Sequence, residues 1–147
     1  MKKNEQKIEL NHVSVDLIID GMVLRIKCYA EDENGEIVTD LNKLKTIFHN
    51  RTSVCLIPKG IKSINGISYG IQLCTDGYGC NSGYVYKHSQ YFIDDEYVVG
   101  DEEIVPNGTI TNVVFVCQNN KGLCGYSFCF GDMQQIGSHK DILSHYL

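Results

Sequence analysis

"VSVDLIIDGMVLRIKC" occupies residues 13–28, and its reading decides the fold. Asp20-Gly21 suits a two-residue type I′ turn, whose central residues both need positive φ. With the turn there, Ile19 stands opposite Met22, Leu17 opposite Leu24, Val15 opposite Ile26 and Val13 opposite Cys28. All of these side chains fall on one face, because successive residues of a strand alternate sides. The other face pairs Ile18 with Val23, Asp16 with Arg25, Ser14 with Lys27 and His12 with Tyr29. It is mostly polar and carries an opposite-charge cross-strand pair. A slip of one residue would turn the apolar set to the wrong side, so the pattern specifies its own register.

Working outward, "EDENGE" (31–36) is a polar turn around Asn34-Gly35, with a short strand expected at 36–38. "TDLNKLKTIFHN" (39–50) predicts an amphipathic helix over about 40–49. Thr39 or Asp40 can cap it, and Leu41, Leu44, Ile47 and Phe48 share one side at helical spacing. So short a helix needs a sheet to dock on. "TSVCLIP", "ISYGIQLC" and "YVYKHSQYFI" predict strands, rich in β-branched and aromatic residues. "KGIKSING" and the glycine-rich "TDGYGCNSG" read as connections, and "DDEYVVGDEE" (94–103) as an edge strand or loop. "TITNVVFVC" and "LCGYSFCF" form a last long hairpin, and the tail "SHKDILSHYL" supports a short helix capped by Ser138. The expected fold is α+β: mainly antiparallel sheet, hairpin-rich, as one sheet or two packed layers, with a helix covering one apolar face.

The 147 residues contain no repeat or linker and are read as one domain, 1–147. With 43% hydrophobic and 21% charged residues, the composition is that of a globular protein. A net charge of −5 argues against general nucleic-acid binding, which needs a basic face. No apolar run approaches the roughly 20 residues of a membrane span. "MKKNEQKIEL" has no apolar stretch behind its charges, so a cytoplasmic, reducing location is expected. The odd count of seven cysteines does not fit a fully paired scaffold. Cys28, Cys55, Cys74, Cys117 and Cys129 lie in apolar runs and are expected to be buried thiols.

"NVVFVCQNNKGLCGYSFCF" (112–130) admits two uses. As a hairpin with a four-residue loop, Asn119 to Gly122, it sets Gln118 opposite Leu123, Cys117 opposite Cys124, Val116 opposite Gly125, Phe115 opposite Tyr126 and Val113 opposite Phe128. That explains the segment without chemistry. Its "GLCG" also resembles the Gly-x-Cys-Gly element of viral chymotrypsin-like cysteine proteases, and "IGSH", ending at His139, resembles their downstream Gly-x-His. The resemblance covers about twenty residues. It implies Cys124 as nucleophile, backbone N–H groups beside it as an oxyanion hole, and an upstream histidine as base. His49 is the best-placed candidate, at the end of the expected helix. A structural zinc site would draw on Cys74, Cys80, Cys117 and Cys124, although their spacing is wider than the usual knuckle. A Cys117–Cys124 disulfide is the further alternative.

Two surface features remain. Tyr78, Tyr84 and Tyr86 lie in and after the glycine-rich connection, where tyrosines offer contact area to a ligand, or simply pack. Asp94, Asp95 and Glu96 open an acidic run that either protects a sheet edge or attracts a basic partner. The expected function is therefore a small non-catalytic binding, inhibitor or accessory protein of bacterial or phage type. It would recognise a protein partner or small ligand through these residues and need no cofactor; self-association into a homo-oligomer is compatible with it. The alternative is the Cys124-dependent hydrolase.

Overall fold

The computed structural model describes residues 8–19, 21–51, 54–58, 63–64, 67–74, 82–93, 96–104, 108–129 and 131–146; between 58 and 107, side chains are described for Ile71 and Leu73 alone. Strands β1 (Glu9–Ile19) and β2 (Met22–Glu31) pair antiparallel in the register that the alternation requires, from Val13↔Cys28 to Ile19↔Met22. Gly21 has φ 79°, as the tight turn needs; Asp20 lies outside the described residues. Val13, Val15, Leu17, Ile19, Ile26 and Cys28 are buried, while Met22, beside the turn, is 45% exposed. The opposite face departs from expectation. His12 and Ser14 on it are buried too, because a second helix covers them.

The chain continues through α1 (Leu41–His49), β3 (Val54–Pro58), the two-residue β4 (Ser63–Ile64), β5 (Ile67–Cys74), β6 (Ser82–Ile93), β7 (Glu96–Ile104), β8 (Gly108–Asn119), β9 (Gly122–Cys129), β10 (Asp132–Gly137) and α2 (His139–His145). All strand pairs are antiparallel, and the order across the sheet is β10-β9-β8-β1-β2-β3-β5-β6-β7, with β4 added on β5. Of the strand expected at 36–38, a single bridge from Ile37 to Glu31 remains. The polar β10 follows what was read as the last hairpin, and β4 falls within a segment read as a connection. β3 is buried on one side only: Val54 and Leu56 face inward, whereas Cys55 is exposed because it alternates with them.

One covalent constraint shapes this sheet. β7 and β8 stand six strand positions apart in the order, which would be about 29 Å in a flat sheet. Only residues 105–107 join them, a reach of about 14 Å at most. The sheet must therefore coil, and β6 does return beside β8 without being paired to it. The inner face of the coil holds Leu10, Val13, Val15, Leu17, Ile26, Leu56, Ile71, Leu73, Phe115 and Phe128 in one continuous core.

Helix α1 docks on that face. Asp40 caps it, its Oδ1 accepting from Asn42 N at 2.9 Å, and Leu41, Leu44 and Phe48 are buried. The Phe48 ring lies 5.8 Å from Phe115 and 5.1 Å from Phe128, centroid to centroid. Burying a side chain of this size contributes about 1.5–3 kcal/mol. Lys43 pairs with Asp32 at 3.0 Å and Lys45 with Asp132 at 2.6 Å, tying the exposed side of α1 to the neighbouring turn and to the start of β10.

Candidate functional site

The β8–β9 hairpin has the expected register over four rungs, Phe115↔Tyr126 to Gln118↔Leu123, but its loop is shorter than expected. Asn119 and Gly122 also pair, leaving a two-residue loop at 120–121. Gly122 carries the conformation that closes it, at φ 119°, and Asn119 Oδ1 accepts from Lys121 N at 2.9 Å. The register places Cys117 directly opposite Cys124, and both are reduced thiols turned into the core, at 0% and 2% exposure. Asn119 Nδ2 donates to Cys124 Sγ at 3.4 Å. Burial first, and then the neighbouring Cys124, pushes the Tyr126 pKa up to about 12. Burial, with Cys124 beside it, pushes the Cys117 thiol up as well.

His49 does not join this group. It is exposed, its ring edge-on to Phe128 at 5.7 Å, and no hydrogen bond links it to Cys124. Phe128 lies four residues beyond Cys124 on β9, about 13 Å along the strand. His139 instead abuts Gly122, whose added Cβ would stand 3.7 Å from the His139 side chain. The tetrad of Cys74, Cys80, Cys117 and Cys124 is described only in part. Cys74 ends β5 opposite Ser82, its side chain undescribed, and Cys80 lies outside the described residues. Among the described residues no group of three or more metal-ligating side chains gathers.

The glycines of "GLCG" have structural work in this hairpin. Gly125 faces away from the core, and a Cβ there would lie 2.7 Å from Ile142 Cδ1 and 3.1 Å from Val114 Cγ1. Gly125 and Gly137 thus form the seat of Ile142, the one buried residue of α2, which packs with Val114 and Val116 as a second small core. Asp141 holds the start of α2 by accepting from Ser138 N and Oγ, at 3.4 and 3.2 Å; it makes no ion pair with His145. The far end is clamped from the first hairpin. Arg25 donates to both Asp16 oxygens, at 2.6 and 2.9 Å, and to the His145 carbonyl, and its guanidinium lies 4.8 Å from the Tyr146 ring centroid. The hydrogen bond to Asp16 raises the Arg25 pKa further. His12 Nε2 donates to the Tyr146 carbonyl at 2.9 Å, which assigns its hydrogen to that nitrogen. Ser14 Oγ, buried on the same face, has no hydrogen-bond partner among the described residues.

Away from α2 the described outer face of β2 and β3 is open. Tyr29 and Ile57, paired across β2 and β3, are each 41% exposed, and Ile37 nearby is 54% exposed. The registers extend this region across the sheet. One row runs Glu31, Cys55, Gln72, Tyr84. In the next, Tyr29 faces Ile57, and one strand further Gly70 faces Tyr86, which faces Ile104. Of these positions, the described Tyr29, Glu31, Cys55 and Ile57 alternate with the buried Cys28, Ala30 and Leu56 and lie on the outer face. Tyr84 and Tyr86, selected from the sequence, pair in β6 with Gln72 and Gly70, their side chains undescribed; the exposed Tyr29 and Ile57 carried no such signal in the sequence. Glu96 pairs with Ile93 at the start of β7, the edge strand of the sheet. Tyr78, Asp94 and Asp95 lie outside the described residues.

Comparison with protein families, with curated proteins and with solved structures gives no match.

Proposed function

We propose that this chain is a non-catalytic binding protein that uses the coiled sheet as a rigid scaffold. Its contact surface is centred on Tyr29 and Ile57, and the sequence adds Tyr78, Tyr84, Tyr86, Asp94, Asp95 and Glu96 to it. The observation that carries this reading is the open Tyr29–Ile57 pair in line with the tyrosine positions of β6. Exposed apolar and aromatic side chains grouped on one face mark interaction surfaces more often than scattered ones do. Tyrosines supply contact area at little entropic cost, and an acidic border orients a basic partner on approach. Against a hydrolase, Cys124 is turned into the core and its sulfur accepts from Asn119.

The test is affinity capture on immobilised wild-type chain, compared with Ile57→Glu and Tyr86→Ala chains of unchanged thermal stability. A ligand or protein retained by wild type and lost by both variants supports the reading. Equal retention by all three refutes it. Hydrolysis of acyl or peptide substrates that disappears in Cys124→Ala would restore the hydrolase.

A further inference from the structure

We propose that Cys117 and Cys124 form a peroxide-responsive dithiol, a modification site that closes to a disulfide across the β8–β9 hairpin. The two residues are direct cross-strand partners with their side chains on the same, inner face. Such partners hold their Cβ atoms about 4.5–5.5 Å apart, which modest strand adjustment brings into the range a disulfide spans. The two sulfurs differ in surroundings. Cys124 Sγ accepts from Asn119 Nδ2 at 3.4 Å, a polar contact on the hairpin-loop side. Cys117 Sγ points to the Phe115 carbonyl at 3.5 Å and has no such support. That asymmetry makes Cys124 the attacking thiol and Cys117 the resolving one.

The pair lies two rungs from the hairpin loop, behind Gln118↔Leu123 and Asn119↔Gly122. Fraying of those rungs admits a molecule as small as hydrogen peroxide without unfolding the sheet. Cys124 sulfur attacks one peroxide oxygen, breaking the O–O bond; this gives Cys124 sulfenic acid and one water. Cys117 sulfur then attacks the sulfenyl sulfur, the S–O bond breaks, and its hydroxyl leaves with the Cys117 proton as a second water. Two thiols lose two electrons in all, and one peroxide is reduced to two waters. A small thiol such as glutathione reverses the step by exchange. The staple lies beneath the seat of Ile142 at Gly125, so its state reaches α2 through the next rung of the same hairpin.

The experiment treats the reduced, native full chain with hydrogen peroxide, quenches with acid, alkylates in denaturant and maps peptides without reduction. The expected result is a linked Cys117–Cys124 species, 2 Da lighter than the dithiol, that forms faster than any other cysteine pairing. A thiol should reverse it, and Tm should rise on the order of 5 °C for so short a closed loop. In Cys117→Ala the sulfenic acid at Cys124 should persist and be trapped by dimedone; should that variant fail to fold, the wild-type map decides alone. The proposal is overturned if both thiols stay fully alkylatable, if the link forms only in denaturant, or if Cys124 pairs preferentially with Cys55 or Cys129.

Discussion

Gly125→Ala tests the docking of α2 most directly. The added methyl would stand 2.7 Å from Ile142 Cδ1 and 3.1 Å from Val114 Cγ1, both closer than carbon atoms pack. Gly125 is not among the positive-φ glycines, so an alanine there meets no backbone strain and gains about 0.4–1 kcal/mol through the unfolded chain. Against that gain stands overpacking, about 1–3 kcal/mol when a methyl is forced into a filled site. Ile142 cannot turn away freely: it is fully buried, and Gly137 brackets its Cδ1 from the other side. The net expectation is a loss of about 1–2 kcal/mol, or a fall of several degrees in Tm for a chain of this size. Ile142→Ala alone should cost about 2–4 kcal/mol, and the double variant less than the sum, because the second change removes what the first collides with. Urea melts of the four proteins give this coupling, and hydrogen exchange in α2 shows whether the loss is local. A Gly125→Ala protein of wild-type stability, or strict additivity with Ile142→Ala, would refute the account of the seat.

Leu17→Asp should unfold the protein at ordinary temperature, since it places an unpaired carboxylate in the core at a cost on the order of 5 kcal/mol; a surviving cooperative melt would contradict the first hairpin's register. Ser14→Ala should be neutral or stabilising by about 1 kcal/mol, because it removes a buried hydroxyl without a partner among the described residues; a clear loss in a urea melt would reveal a bond this geometry lacks. Asp32 is held below its ordinary pKa, first by the Glu36 backbone N–H and then by Lys43. Its contribution is therefore present above about pH 4 and lost as pH falls through the lower folded value. Thermal melts from about pH 5 down to about pH 2 should decline less steeply for Asp32→Asn than for wild type; parallel curves would count against the depressed pKa.

How far each element could be read ahead depended on how local its cause is. The first hairpin was legible because alternation and the Asp20-Gly21 pair constrain the same short stretch, and α1 because Asp40 and its apolar side lie within ten residues of one another. Strand β10 escaped notice because Asp132, Gln134 and Gln135 give an edge strand no apolar alternation. Gly125 carried two meanings in the sequence, a protease-like motif or a hairpin position, and neither pointed to Ile142 seventeen residues on.

By itself, then, the sequence determined what depends on period and turn chemistry: the antiparallel hairpins, the register of β1 with β2 and four rungs of β8 with β9, one capped amphipathic helix and the inward side of the first hairpin. Tertiary structure alone decided which strands became neighbours. A three-residue connection between β7 and β8, together with β8 pairing on β1, forces the sheet to coil. That arrangement sets the exposed Tyr29–Ile57 pair beside β5 and β6 and brings α2 over His12 and Ser14. No local pattern encodes such neighbours, because they arise from the shared burial of one core by strands far apart in the chain.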